Sequence, residues 1–287
     1  MFDNFLSAAA PLMLASLGAL ISELAGYLGI FIEGFMGLGS FFSFVIAGKT
    51  GSASVGCLIT GICSAGAGWL LARFVRVTRS DPFIAGLALN TLAGAITASC
   101  SAAFFGTKGV VRDPSIVMPE RVQLPVIDQI PFVGPVFSGH FPFVYAAWFF
   151  VIGAGILLGK TTIGTRLRAS GLSPEAARER GLNPERYWEG AWACAAGLAA
   201  LAGAALSFRI GAYTPGGAAG RGWIALSAVY LGFRTVWGTA LAALVFACTD
   251  IIGISFQRLN NFPATVLLGF PSMVALVLYA ISSAIKK

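Results

Sequence analysis

Long apolar runs, separated by short polar stretches, follow one another along almost the whole chain. The runs are continuous, and most reach the length of about 20 residues that an α-helix needs to cross a bilayer. Continuous runs favour helices over a β-barrel, whose strands alternate apolar and polar positions. The pattern predicts an all-α membrane protein, a polytopic helical bundle of about nine segments in which residues 1–287 form a single transmembrane domain. The segments are Phe5–Leu28, Gly29–Ala47, Ser54–Val75, Pro82–Phe105, Phe143–Leu158, Tyr187–Phe208, Trp223–Gly232, Val236–Ile254 and Phe262–Ile285.

The first, second and seventh segments have features of short or broken helices. Trp223–Gly232 is only about half as long as a span requires, and the glycine-rich stretch Gly211–Gly222 precedes it. The first two segments each contain an acid, Glu23 and Glu33. Two interpretations stay open for each: the seventh segment spans or re-enters, and the first two are continuous or broken. Interrupted helices in both halves of a transporter are the usual pointer to its solute site.

The composition also indicates a membrane protein. The chain is 57% hydrophobic and 11% charged, whereas soluble domains are about 25% charged. The formal charge of +7 would suit a nucleic-acid-binding protein, but Lys and Arg cluster at the ends of apolar segments, where membrane topology explains them. We therefore expect contact with membrane lipid and no nucleic-acid partner.

The residue types needed for catalysis or metal binding are sparse. His140 is the only histidine, and the five cysteines are scattered through apolar stretches without metal or redox spacing. The glycine-rich stretch lacks the phosphate-binding pattern G-x-x-x-x-G-K-[ST]. We expect no catalytic residue, no metal site and no cofactor, so the chain is not expected to be an enzyme.

The distribution of basic residues predicts the orientation of the chain. The loop Lys160–Gly190 is rich in Lys and Arg, and the positive-inside rule places it in the cytosol. Alternation of the segments then places the proline-rich 106–142 loop and the N-terminus outside. The outer loops carry more basic than acidic residues. Their basic side chains either bind acidic residues of a soluble binding protein or only keep the loops soluble. The further basic residues expected inside are Arg73, Arg76, Arg79, Arg234, Lys286 and Lys287.

Local sequence predicts a short helix in the cytosolic 160–190 loop. Ser173 is a good N-cap, Pro174 suits the first helical position, and Gly181 can end the helix in the left-handed conformation. The helix dipole favours an acid such as Glu175 in the first turn. We interpret this helix as a surface that docks on another protein; the alternative is a solvated linker.

Several polar or glycine positions in the apolar segments are candidates for a translocation path. A charged group at mid-bilayer costs about 2.5–3.5 kcal/mol, so the acids should face a cavity, pair with a donor, or lie at an interface. The amide of Asn90 could bind solute or form interhelical hydrogen bonds, and Asp250, near a segment end, suits an interfacial role. Glycines could let the chain re-enter the membrane. The candidate path residues are Glu23, Glu33, Asn90, Gly220 and Gly222.

Three stretches carry a resemblance to a known family. The chain resembles the permease subunits of bacterial ABC importers for nucleosides and simple sugars, the ribose-permease-like group that also includes riboflavin permeases. The stretches cover about a third of the chain, in the family's order. They are PLMLASLGALISELAGYLGIFIEGFMGLGSF (Pro11–Phe41), TTIGTRLRASGLSPEAARERGLNPERY (Thr161–Tyr187) and TPGGAAGRGWIALSAVYLGFRTVWGTALAALVFACTD (Thr214–Asp250).

The resemblance implies a permease of the bacterial inner membrane with several partners. It implies cytosolic ATPase subunits, a second permease subunit of the same or a related kind, and an extracytoplasmic substrate-binding protein. ATP hydrolysis would belong to the ATPase subunits. It further implies that the predicted helix couples the permease to the ATPase, with Ala176 and Ala177 seated in a groove. The implied coupling residues are Arg168, Ser173, Pro174, Glu175, Ala176, Ala177, Arg178 and Gly181.

The first stretch departs from the family pattern. Leu24 stands where an arginine is usual, and Gly29 and Phe31 stand near a usual Asn-x-Gly. If this region touches the substrate, these departures put the nucleoside preference that the resemblance implies in doubt, and a bulkier or flatter aromatic ligand such as riboflavin becomes an alternative. We expect a nucleoside-like or riboflavin-like heterocycle as substrate, with a simple sugar next. The alternative function is an ion-coupled secondary transporter that uses the intramembrane acids Glu23, Glu33 and Asp250.

Overall fold

The computed structural model describes residues 2–112, 119–123 and 139–260. Within those ranges the regular structure is helical, apart from two isolated backbone bridges, and the all-α prediction is confirmed. Among the described residues, five helices are long and apolar enough to cross a membrane. The ninth apolar run, Phe262–Ile285, and much of the 106–142 loop lie outside the described residues. The helices are α1 Phe2–Leu24, α2 Ile32–Thr50, α3 Ala53–Thr78, α4 Pro82–Phe105, α5 Pro142–Lys160, α6 Thr162–Leu172, α7 Pro174–Glu179, α8 Pro184–Ile210, α9 Arg221–Leu231 and α10 Val236–Asn260.

The chain between α1 and α2 is not helical. The predicted boundary at Leu28 and Gly29 was wrong, because α1 ends at Leu24 and α2 begins at Ile32. Gly26 adopts φ +94°, a conformation that interrupts a right-handed helix and that glycine adopts at little cost. The Ser22 hydroxyl donates to the Tyr27 carbonyl at 2.7 Å, which holds the end of α1 to the irregular segment. The first two apolar runs therefore form helices joined by an irregular segment, residues 25–31.

The polar loop after α5 is more helical than its sequence predicted. The predicted short helix is α7: Ser173 caps it by accepting from the Ala176 N–H, and Gly181 follows it at φ +76°. Sequence reasoning missed α6, because its glycines and threonines are weak helix formers. The Thr161 side chain caps α6 by accepting from the Gly164 N–H.

Helix α8 lies at the centre of the bundle and packs on α1, α2 and α3. Its many alanines and glycines let the neighbouring backbones approach closely. At the crossing with α2, a Cβ added to Gly39 would collide with the Ala200 backbone. The same interface holds a buried hydroxyl pair, in which Ser207 donates to the Ser40 carbonyl at 3.0 Å and the two hydroxyl oxygens are 2.6 Å apart.

Several connections meet at one end of the bundle, which we call the basic end. The connection from α3 to α4 and the connection from α9 to α10 lie at this end. The helices α6 and α7, which connect α5 to α8, lie there as well. An ion pair of 3.1 Å joins Arg76 of α3 to Glu189 of α8. A second pair, of 2.9 Å, joins Arg234 in the α9–α10 turn to Glu23 of α1. The structure thus gathers at one end the loops whose basic residues were assigned to one side of the membrane.

We predict that Gly39→Ala destabilises the protein by about 1–3 kcal/mol, because the added methyl group forces α2 and α8 apart. The measurement is the unfolding of the purified protein in detergent. Gly66→Ala in α3 is the control, since an added Cβ there meets no atom within 4 Å. A Gly39→Ala protein as stable as the Gly66→Ala protein would contradict this account of the α2–α8 contact.

Candidate functional site

The two interrupted segments of the chain meet at the starts of α2 and α9. A Cβ added to Gly222 would lie 2.7 Å from the Glu33 Cβ, so only glycine permits this crossing. Gly222 lies about 14 Å from the end of α9 at 1.5 Å per residue. The hydrocarbon core of a bilayer is about 30 Å thick. The crossing therefore lies near the middle of the bundle, and α9 is a half-length helix preceded by the irregular segment 211–220.

The Asn90 side chain connects α4 to the break between α1 and α2. Its Oδ1 accepts from the Gly34 N–H at 2.7 Å, and its Nδ2 donates to the Ile30 carbonyl at 2.9 Å. Both partners are backbone groups that the helix break leaves without an intrahelical bond. The interhelical hydrogen bonding that the sequence suggested for Asn90 is confirmed.

The Glu33 carboxyl group faces the start of α9. One of its oxygens accepts a hydrogen bond from the Gly220 backbone N–H. The other, Oε2, is buried without a hydrogen-bond partner among the described residues. An unpaired buried acceptor is costly, so it is available to a donor on a bound solute.

A polar cavity of about 140 Å³ opens beside Glu33. Its walls combine small side chains with hydroxyl, amide and carboxyl groups, which can hydrogen-bond a polar solute. Sequence reasoning missed Thr97, Tyr213 and Thr214, which come to this cavity from α4 and the segment before α9. The main polar lining residues are Glu33, Asn90, Thr97, Tyr213 and Thr214, with Gly34, Gly37 and Gly216 among the small ones.

Glu23 lies apart from this cavity, at the basic end. Its carboxylate pairs with Arg234 at 2.9 Å and accepts from the Tyr230 hydroxyl at 3.1 Å. Of the five candidate path residues, the structure thus brings together Glu33, Asn90, Gly220 and Gly222, and places Glu23 in an ion pair. Sequence reasoning missed that pair because its members are far apart in the chain.

Asp250 is also ion-paired. It lies 3.5 Å from Arg221 at the start of α9. Helix α10 continues to Asn260, so Asp250 is further from the helix end than the apolar run indicated. The three intramembrane acids therefore have separate partners and do not form one site.

The candidate coupling residues divide into an exposed and an anchored group. Ser173, Pro174, Glu175 and Ala176 are exposed, whereas Ala177 is only 3% exposed and packs against the permease itself. The expectation that both alanines seat in a partner's groove is therefore wrong for Ala177. Beside α7, the Leu172 side chain is 83% exposed, which sequence reasoning missed.

Two arginines of this region bond within the chain. Arg178 donates to Glu185 at 2.6 Å, and this hydrogen bond raises the pKa of the Arg178 guanidinium. The pair joins α7 to the start of α8. Arg168 donates to the Leu158 carbonyl at 2.8 Å, which satisfies a backbone group in the last turn of α5. Both side chains fix the position of α6 and α7.

The residues that depart from the family pattern do not line the polar cavity. Phe31 is fully buried, with its ring 4.5 Å from that of Trp192. Gly29 packs against Ser22, and Leu24 lines a small cleft with Glu23 at the basic end. All three residues pack at or near the helix break.

We predict that Arg234→Gln destabilises the protein by about 1–3 kcal/mol, because it leaves the Glu23 carboxylate without its cation. Glu23→Gln should cost less, since the guanidinium it leaves behind is half exposed. The double variant should resemble Glu23→Gln, as expected for coupled residues. Detergent-solubilised protein is compared by thermal unfolding.

The control is Arg79→Gln, because Arg79 and Arg234 share a left-handed backbone, at φ 53° and 56°. Arg79 has no acidic partner among the described residues, so this substitution should change stability little. Equal losses of stability in Arg79→Gln and Arg234→Gln would show that the left-handed turn, and not the ion pair with Glu23, causes the destabilisation.

Comparison with known proteins gives matches along nearly the whole chain. Residues 1–282 match the family described as branched-chain amino acid transport system / permease component. A putative glucose ABC transporter permease of Haloferax volcanii is 29% identical over 88% of this chain and 76% of its own. A nucleoside ABC transporter permease of Lactococcus lactis subsp. cremoris is 27% identical, with 97% and 90% covered. A guanosine ABC transporter permease of Bacillus subtilis is 27% identical, with 94% and 87% covered.

No solved structure matches the chain. The resemblance to ABC transporter permeases, drawn above from a third of the sequence, is confirmed by matches to most of it. Together with the apolar helices, the family match shows a transporter subunit embedded in the membrane. The chain belongs to the family of branched-chain amino acid transport system permease components, and it is a multi-pass protein of the bacterial inner membrane.

Proposed function

We propose that this chain is the permease subunit of an ATP-driven importer for a nucleoside-like heterocycle. It works with two cytosolic ATPase subunits, a second permease subunit and an extracytoplasmic binding protein that delivers the solute. The observation that carries the proposal is the short helix α7, presented at the basic end of a bundle whose polar cavity lies about halfway along it. The family match supports the same assignment.

The basic end is the cytosolic end in this proposal. Arg76, Arg79, Arg178 and Arg234 belong to it, and basic loops stay in the cytosol. The exposed surface from Leu172 to Ala176 is the docking surface for the ATPase. A leucine that is 83% exposed in a polar loop supports this, because an interface core needs apolar anchors.

Motion of the ATPase reaches the bundle through contacts of α6. Gly171 of α6 packs against the backbone of Leu24 and Gly26, directly after α1. The Arg178–Glu185 pair joins α7 to α8. A displacement of α7 is thus transmitted to α1 and α8, and α1 leads into the break beside the polar cavity.

The polar cavity supports a hydroxyl-bearing ring compound as the solute. Relatives of this chain are described as permeases for nucleosides, guanosine and glucose. A ribose or sugar ring is common to these compounds. The unpaired Glu33 oxygen accepts a hydroxyl or amine donor, and the threonines and Tyr213 donate or accept. Nucleosides are proposed first, with a riboflavin-like flavin, whose ribityl chain offers the same hydroxyls, and a simple sugar as the other substrates.

An ion-coupled carrier is the competing function. Such a carrier needs acids that exchange protons or cations during transport. Glu23 and Asp250 are each held by an arginine, and Glu33 by the start of α9. The acids serve three separate contacts, which favours the ATP-driven importer.

We predict that Leu172→Ser weakens co-purification of the ATPase subunits by about tenfold, because it removes an apolar anchor from the docking surface. Ala176→Trp should do the same by blocking close approach. Val77→Ser is the control, since Val77 is 70% exposed near the end of α3. All three variants should insert into the membrane normally. Undiminished co-purification of the ATPase with Leu172→Ser and Ala176→Trp would contradict docking at this surface.

We predict that Glu33→Gln lowers ATP-driven uptake by about tenfold, because a hydrogen bond to a charged group contributes about 1.5–3 kcal/mol. Uptake is measured in proteoliposomes that contain the whole transporter and its binding protein, with nucleosides, riboflavin and glucose as solutes. Asp250→Asn is the control, since Asp250 does not line the cavity.

The same proteoliposomes test the energy source. Uptake should require ATP inside, the cytosolic side of this orientation, and should persist when ionophores collapse ion gradients. Uptake that follows an imposed proton or sodium gradient without ATP would overturn the proposed function. If the Glu33→Gln variant takes up solute at the wild-type rate, Glu33 does not line the path. The importer assignment would still stand.

A further inference from the structure

A second cavity, of about 290 Å³, opens at the basic end of the bundle. It lies between the end of α3, the irregular segment after α1, and the helices α6, α7 and α8. It shares no lining residue with the Glu33 cavity. We call it the arginine cavity, because its charged lining residues are Arg76, Arg79, Arg178 and Glu185.

The arginine cavity has more positive than negative charge. Glu185 pairs with Arg178 at 2.6 Å, and Glu189 pairs with Arg76 at 3.1 Å. Arg79 has no acidic partner among the described residues, and its guanidinium belongs to an exposed side chain at the rim. Asp81, between the lining residues Ser80 and Pro82, caps α4 by accepting from the Phe83 and Ile84 N–H groups. Arg79 is therefore the lining arginine that forms no ion pair among the described residues.

Two buried hydrogen-bond donors of the arginine cavity also lack acceptors. The Ser170 side chain is 3% exposed and the Trp188 side chain 7% exposed. The Ser170 hydroxyl and the Trp188 indole nitrogen have no hydrogen-bond partner in the described structure. Stacking on Tyr27, with ring centroids 4.5 Å apart, fixes the indole in place. Buried donors of this kind are normally paired, and both residues line the arginine cavity.

We propose that the arginine cavity binds a small oxyanion, a phosphate or a carboxylate group. Arg79 supplies the charge, and Ser170 and Trp188 supply neutral donors to its oxygens. The indole N–H can only donate, so it complements the lone pairs of an oxyanion and not a cation. Arginine favours such ligands because its planar group can donate two parallel hydrogen bonds.

Two sources can supply this chemistry at the basic end. One is free inorganic phosphate, and the other is an aspartate or glutamate side chain of the ATPase subunit, since Pro174 of α7 lines the same cavity. The phosphate experiment uses the permease alone and does not depend on the proposed function. The carboxylate source rests on that function, and the assembled transporter tests it.

The full-length permease, purified in detergent, is titrated with inorganic phosphate by calorimetry at constant ionic strength set with sodium chloride. We expect saturable binding by the wild type and affinity at least about tenfold weaker in Arg79→Gln and Ser170→Ala, each of which removes one donor. Ser170→Ala should be no less stable than the wild type, because it removes an unpaired buried hydroxyl. Arg73→Gln is the control, since Arg73 lies over the Trp69 ring on α3 and does not line the cavity.

The absence of saturable phosphate binding by the wild type would overturn the proposal. So would equal affinity in the wild type and both cavity variants, since binding would then lie elsewhere. The same titration of the transporter assembled with its ATPase separates the sources. Phosphate binding lost on assembly identifies a partner carboxylate in the cavity, and binding retained there identifies a free anion. If no ATPase assembles, the proposed function fails while the phosphate result stands.

Discussion

The crossing between the starts of α2 and α9 is the contact on which the central part of this structure depends. Two helix starts in an apolar bundle leave backbone N–H donors without intrahelical acceptors, and each group left unpaired in an apolar environment costs several kcal/mol. Asn90 satisfies Gly34 and Ile30, and Glu33 satisfies Gly220. The absence of a side chain at Gly222 brings these groups close enough to bond. These hydrogen bonds satisfy the backbone groups of the interrupted helices. The structure can therefore hold a polar cavity inside the membrane.

Much of the fold follows from composition and local chemistry. Continuous apolar runs determine the long helices, and the Ser173 and Asn183 caps determine where α7 and α8 begin. Prediction from the sequence fails where local helix propensity is weak and tertiary contacts decide the structure. Helix α6 contains poor helix formers that tertiary contacts override, and the end of α1 depends on a bond from Ser22 to a carbonyl beyond the helix.

The candidate site was only partly predictable, because its contacts join distant parts of the chain. Asn90 bonds residues 56 and 60 positions away, and Tyr230 reaches Glu23 across 207 positions. Sequence shows that an acid in an apolar run needs a partner, but it does not show which one. Glu23 and Glu33 therefore looked alike, although one pairs with an arginine and the other faces a cavity. The exposure of Leu172 and the burial of Ala177 likewise depend on how α6 and α7 pack.

The close packing of α8 has a mechanical consequence. Gly18 of α1 and Gly68 of α3 both approach its backbone, as Gly39 of α2 does. A helix held on three sides by backbone contact cannot roll about its long axis without steric overlap, because there are no flexible side chains to yield. We infer that α1, α2, α3 and α8 move as one rigid block. In the proposed importer, alternating access would then come from hinging of the peripheral helices against that block, or of one whole block against its counterpart in the proposed second subunit.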